Sequence, residues 1–234
     1  MTKRNLSLFL GAILSMTTML RADIHTYGSD PTQNLGTLDT CVGCLFALIQ
    51  FPGSAAGQQV LSYQFYNGAG ASANYLTPIL LEQNSNPADA RSFTILAIGD
   101  SSTGFVAGYN SINFVLASGT NDVVDGNTFF GYIDGSVNGA GGVSGNTGTI
   151  TSNYPTGPGT PGYFAGYSGS ADTYPLPLIT AGTPISTSEW ADVGQNNRNY
   201  SLQVTTTPEP GLYGVLALGL SGVVVALTRR RRRA

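Results

Sequence analysis

The chain holds a single histidine, His25, and that one base limits what its many hydroxyl groups can do. Ser-His-Asp catalysis needs a base within hydrogen-bond reach of the nucleophile. His25 lies close to the start of the chain, and no Gly-x-Ser-x-Gly elbow occurs. Glycoside hydrolysis needs only two carboxylates, and Asp122, Asp125 and Asp134 are near one another in sequence. The string Asp-Val-Val-Asp-Gly-Asn that starts at Asp122 reads first as a turn-former between strands. Its oxygens give a weaker alternative, a calcium loop of Asp122, Asp125 and Asn127 with Asp134 nearby, because calcium takes hard oxygen ligands from loops. The segment does not match an EF-hand, whose ligands alternate and end in Glu. No catalytic residue and no cofactor other than that calcium are expected.

Two cysteines, Cys41 and Cys44, stand in the order Cys-Val-Gly-Cys. In an oxidising compartment a local disulfide is the simplest expectation. A thioredoxin-like motif needs a helix after it, whereas Leu45 to Phe51 reads as a buried strand that ends at Pro52-Gly53. Haem attachment needs His after the second Cys, where Leu45 stands, and a zinc site needs four ligands. Tyrosines and tryptophan suggest stacking on sugar rings. Tyr63, Phe65, Tyr66, Tyr109 and Tyr132 are expected mostly in the core or on a sheet face, whereas Tyr163, Tyr167 and Trp190 lie in polar, loop-like sequence and are the better sugar-stacking candidates.

The elements that must carry these residues are strands. No apolar stripe of helical period appears before residue 211, and Gly, Ser, Thr and Asn punctuate the chain every few residues. Strands are expected over Leu45 to Phe51, Gln59 to Tyr66, Thr77 to Glu82, Ser92 to Ile98, Ile112 to Ala117 and Thr128 to Asp134, with a last one through Tyr200, Leu202 and Val204. Within them Leu61, Tyr63 and Phe65 should share one face, as should Ile112, Phe114 and Leu116. Turns are expected at 68–72, 83–89, 99–104, 119–127 and 134–142, and residues 136 to 188 should be long ordered loops with one or two strands. Many short strands so spaced predict an all-β fold, an antiparallel β-sandwich of jelly-roll type, over residues 23 to 207.

The two ends differ from this middle. Lys3 and Arg4 precede an apolar run from Leu6 to Leu14, the layout of a secretory signal peptide over residues 1 to 22, cleaved after Ala22. At the other end 18 uncharged residues, Gly211 to Thr228, are followed by Arg229, Arg230, Arg231, Arg232 and Arg233. A helix of that length would span about 27 Å, close to the hydrocarbon core of a bilayer. The arginine cluster should stay cytoplasmic and leave the preceding domain outside. Between these ends only Arg91 and Arg198 oppose twelve acids, a net charge of −10 for residues 23 to 207. Such a surface repels phosphate backbones, so nucleic acid is not an expected partner.

Immediately before the apolar span stands Pro208-Glu209-Pro210. The order Pro-Glu-Pro, apolar span, arginine cluster, chain end over residues 208 to 234 resembles the PEP-CTERM sorting tail of Gram-negative bacteria that make exopolysaccharide. The resemblance implies recognition of Pro208, Glu209 and Pro210 by an exosortase, a membrane-embedded protease-transpeptidase, after transient residence in the inner membrane. Two prolines hold the segment extended, a form that a protease cleft accepts. The middle is also similar to an ectodomain that recurs among such proteins, through Leu61 to Gly70, Leu76 to Glu82, Phe93 to Gly99, Phe129 to Gly135 and Asn197 to Gln203. That likeness carries no known activity. The expectation is therefore an exported, non-enzymatic protein of the cell surface or extracellular matrix, structural or adhesive in an exopolysaccharide. A carbohydrate-binding surface module is the alternative, and a secreted glycoside hydrolase stands behind both.

Overall fold

In the computed structural model the described residues are 24–38, 45–68, 74–84, 92–124, 126–137, 143–145, 150–153, 179–185 and 199–208. The signal segment, Cys41, Cys44, Asp125, Tyr163, Tyr167, Trp190, Glu209, Pro210 and the five arginines lie outside them. The strands are β1 (His25–Gly28), β2 (Thr37–Leu38), β3 (Leu45–Gln50), β4 (Gln58–Asn67), β5 (Thr77–Gln83), β6 (Phe93–Gly99), β7 (Gly108–Asn113), β8 (Leu116–Gly119), β9 (Asp122–Val123), β10 (Thr128–Ile133), β11 (Gly135–Val137), β12 (Val143–Gly145), β13 (Thr151–Asn153), β14 (Pro184–Ile185), β15 (Asn199–Tyr200) and β16 (Leu202–Pro208). Among the described residues a single 3₁₀ turn, Gly53–Ala55, interrupts them, and no helix is long and apolar enough to cross a membrane. The strands form a unit spanning His25–Thr206; Met1–Ile24 and Thr207–Ala234 fall outside it.

Two antiparallel sheets dominate. One runs β1-β16-β4-β7, with β9 also pairing with β4. The other runs β14-β6-β5-β10-β3, with β8 also pairing with β6. The chain changes sheet repeatedly: β3 to β4, β4 to β5, β6 to β7, β7 to β8, β8 to β9 and β9 to β10 each cross between them. Two small sheets, β11-β12 and β15-β13-β2, complete the described pairings.

The core lies between the two large sheets. Val60, Tyr63 and Phe65 of β4 and Leu202 and Val204 of β16 meet Phe46 and Leu48 of β3, Leu80 of β5, Ala97 of β6 and Phe130 and Tyr132 of β10. The rings of Tyr63 and Phe130 cross the interface with centroids 5.7 Å apart, and Phe46 stacks on Tyr132 at 4.7 Å. Burying one such aromatic contributes about 1.5–3 kcal/mol, so this layer organises the fold. Gly131 makes it possible. A Cβ at that position would lie 1.8 Å from the Phe46 carbonyl oxygen, so only glycine lets β10 approach β3 this closely.

The six-stranded sheet is apolar on its other face too. Leu45, Ala47, Ile79, Leu81, Phe93, Ile95, Phe129 and Ile133 form a second cluster there with Ile179 and Ile185. Burial on both faces explains why these strands read as unbroken apolar runs rather than alternating ones.

Several sequence expectations need correction. Leu61 does not share a face with Tyr63 and Phe65; it is 40% exposed and Val60 occupies the core instead. The reason is a change of partner. Gln58 and Gln59 pair with β9, whereas Ser62 to Asn67 pair with β7, and the side-chain phase slips between the two stretches. Ile112 to Ala117 is not one strand. β7 stops at Asn113 and β8 starts at Leu116 in the other sheet, which leaves Phe114 buried and Leu116 exposed. Residues 119–127 and 134–142 are not turns throughout, because they hold β9, β11 and the first residue of the pairing Val137 with Val143 lies within the second range. Asp122 in particular sits on a strand. Residues 136 to 188 contain more than one or two strands, since β12, β13 and β14 all fall there. β1, absent from the expectation, forms a sheet edge.

Candidate functional site

The outer face of the five-stranded sheet is where side chains with chemistry remain accessible. Because Tyr63 and Phe65 point into the core, alternation along β4 puts Ser62, Gln64 and Tyr66 on the opposite face. The register of β7 sets Asn113, Ser111 and Tyr109 directly across from them. On β16, Leu202 and Val204 are core residues, so Gln203 and Thr205 face outward. Thr26 of β1 lies beside Thr205. None of these nine side chains carries a charge.

Hydrogen bonds fix this surface. The Thr205 hydroxyl donates to Gln64 Oε1 at 3.2 Å, and Gln64 Nε2 donates to Ser62 Oγ at 2.7 Å. Gln64 is thereby immobilised at 7% exposure, while Tyr109 remains 49% exposed and Tyr66 half-buried. The turn that delivers β7 is locked by amides. Asn110 Oδ1 accepts from the Val106 backbone N–H at 3.1 Å, Asn110 Nδ2 donates to the Val106 carbonyl at 2.9 Å, and Asn67 Nδ2 donates to the same carbonyl at 3.0 Å. Gly108, at φ +90°, supplies the left-handed residue that this turn requires, and it leaves the Tyr66 ring edge unobstructed.

Of the aromatic residues weighed from sequence, Tyr63, Phe65 and Tyr132 are core. Tyr66 and Tyr109 alone among those five reach the surface, as cross-strand partners. The signal was present: Tyr66 is out of phase with Tyr63 and Phe65, so burial of those two places it outside.

Among the described residues the acids do not converge. Asp122 lies on β9 opposite Gln59, half-buried, with Oδ1 lacking a hydrogen-bond partner. Asn127 uses its carbonyl to accept the Gln83 backbone N–H at 2.9 Å. Asp134 follows the far end of β10 from Asn127, separated by the whole strand and therefore by about 20 Å, so it is not near the candidate calcium loop. Among the described residues no group of three or more His, Cys, Asp or Glu side chains gathers as a metal site. Asp30 is held below its ordinary range by the hydroxyl and then the backbone N–H of Thr32, both donating to Oδ1, with Gln33 on Oδ2. That arrangement is a turn, not a catalytic group. His25 opens β1 and is exposed.

A groove of about 630 Å³ runs beside the six-stranded sheet, lined by Ile98, Asp100, Ser101, Leu116, Val137 and Ile179 among others. Its Ser101 hydroxyl is occupied, 2.6 Å from Thr77 Oγ1 and accepting from the Val137 N–H at 2.9 Å.

The chain enters and leaves the unit at one place. His25 pairs with Thr206, and β16 continues to Pro208, the first residue of the Pro-Glu-Pro string. Comparison with protein-family models, with curated proteins and with solved structures finds no match to this chain.

Proposed function

We propose that this is an exported protein displayed at the cell surface or in the extracellular matrix of an exopolysaccharide-producing bacterium, where its β-domain has a structural or adhesive role. The observation that carries this reading is the pairing of His25 with Thr206. A cleaved signal ending at Ala22 and a sorting tail starting at Pro208 then leave the domain from adjacent strands at one end. Pro208, the first residue of the Pro-Glu-Pro string, is the last residue of β16.

Strand order supports a jelly-roll assignment for the domain. β1-β16-β4-β7 and β3-β10-β5-β6 are the two four-stranded faces that two interlocked Greek keys generate. Jelly rolls serve capsids, lectins and enzymes alike, so the fold by itself assigns no activity. Its relevance is stability outside the cell: every long strand is paired, and the core is aromatic-rich.

The test is replacement of Pro208 and Glu209 by alanine in the full chain, followed by cell fractionation. The expected result is accumulation of the uncleaved precursor in the inner membrane. Release to the surface unchanged from wild type overturns the sorting reading.

A further inference from the structure

We propose that the outer face of the five-stranded sheet binds a neutral polysaccharide, with Tyr66 and Tyr109 stacking on sugar rings and Ser111 and Thr205 meeting hydroxyl groups. The inference rests on the matrix reading for its biological setting and on the geometry of one sheet face for its content. Sugars present two surfaces, an apolar face of C–H groups and a rim of hydroxyls that donate and accept. A complementary protein surface offers aromatic faces beside uncharged groups of both polarities. This face has that composition. Tyr66 and Tyr109 are opposed across β4 and β7, at the cross-strand spacing of about 5 Å between Cβ atoms. Ser62, Gln64 and Tyr66 follow along one strand at about 7 Å intervals, so the row extends well beyond one ring.

Two further features separate a built site from an ordinary wet sheet face. The polar row of Thr205, Gln64 and Ser62 is hydrogen-bonded from end to end, with Gln64 itself only 7% exposed. Its orientation is therefore settled before any ligand arrives, which lowers the ordering cost of binding. Tyr109 keeps half its surface in water although it sits on a strand whose Asn110 is buried by turn contacts. The occupant follows from charge. Among the described residues no lysine or arginine lies on the face, and residues 23 to 207 carry a net charge of −10. Anionic polysaccharides and phosphate-bearing chains are repelled, and neutral glycans are not.

The experiment is affinity electrophoresis of the full-length protein in detergent through gels containing dextran, galactomannan or hydroxyethylcellulose, with alginate as the anionic comparison. Retardation by at least one neutral polymer and none by alginate is expected. Tyr66→Ala and Tyr109→Ala should each weaken that retardation about tenfold, the equivalent of about 1.4 kcal/mol, while Tyr109→Phe retains most of it. Tyr75→Ala, at a 41% exposed tyrosine off this face, should leave it unchanged. Circular dichroism establishes that each variant is folded. Retardation by none of the neutral polymers, retardation by alginate alone, or equal retardation of wild type and a folded Tyr66→Ala, Tyr109→Ala double variant overturns the proposal. Fractionation of the same variants keeps the two readings apart. Normal surface delivery without retardation removes glycan binding alone, and retardation without surface delivery removes sorting alone.

Discussion

The two large sheets are built from similar residues and end up in different circumstances. The six-stranded sheet is covered on both faces, with Phe46, Leu80, Phe130 and Tyr132 on one side and Leu45, Ile79, Phe93 and Phe129 on the other. The five-stranded sheet is covered on one face and presents Ser62, Gln64, Ser111 and Thr205 on the other. The difference lies in what each sheet is free to do. A sheet buried twice has no surface to offer a partner and serves as scaffold. A sheet buried once holds its outer side chains on a rigid frame, and rigid frames position ligand contacts well.

The sharpest way to break this contrast is Phe129→Ala. Phe129 is fully buried on the far face of the six-stranded sheet, with its ring edge-on to Phe93 at 5.3 Å. If that face is a true second core, truncation costs about 3–5 kcal/mol in urea unfolding. Ser111→Ala, on the outer face of the other sheet, should stay within about 0.5 kcal/mol. Equal small effects at both positions would mean that the two sheets do not differ as described. A middle-sized effect is expected at Thr77→Val. The fully buried Thr77 hydroxyl donates to the Gly135 carbonyl at 2.7 Å and lies 2.6 Å from Oγ of the half-buried Ser101. Losing it leaves a buried acceptor unpaired and should cost about 1–3 kcal/mol by the same assay.

The smallest effect concerns the face that the sheets share. The Tyr63 hydroxyl is buried without a well-formed hydrogen bond. Burial pushes its phenol well above the ordinary value of 10.0, and Ser102 offsets this only in part. The folded form therefore keeps its proton where the unfolded form loses it. Stability from this group is fully present below pH 10 and declines as pH rises beyond it. Tyr63→Phe should be neutral or stabilising by up to about 1 kcal/mol at pH 7, and should flatten the alkaline fall measured by thermal melts between pH 9 and 11. A clear loss of stability at pH 7 would assign Tyr63 a hydrogen bond that contributes to the fold.

What the sequence made legible follows the same division. The four longer strands of the six-stranded sheet, β3, β5, β6 and β10, are legible to within a residue or so in the apolar runs Leu45 to Phe51, Thr77 to Glu82, Ser92 to Ile98 and Thr128 to Asp134, whereas the short β8 and β14 are not. The five-stranded sheet was read less well. β1, with His25 and Tyr27 among small polar residues, has no strand signature of its own and forms only because β16 offers it an edge. The phase of β4 depended on a switch of partner from β9 to β7, a long-range event that local alternation cannot encode, and so Leu61 was misplaced. The break at Phe114 and Val115 is likewise a change of sheet inside a continuous β-prone stretch. Tyr66 and Tyr109 were within reach. Alternation separates Tyr66 from Phe65, but their meeting across two strands depends on register, and register is a property of the pair.

One last consequence comes from β16. It lies between β1 and β4 and runs straight into residue 208, so any pull on the C-terminal tail acts along a strand gripped from both sides. Tension applied along such a strand loads its ladder bonds together, in shear, instead of opening them one after another as at a peeled edge. The lifetime of the fold under such a load is set by the rate at which the whole sheet yields.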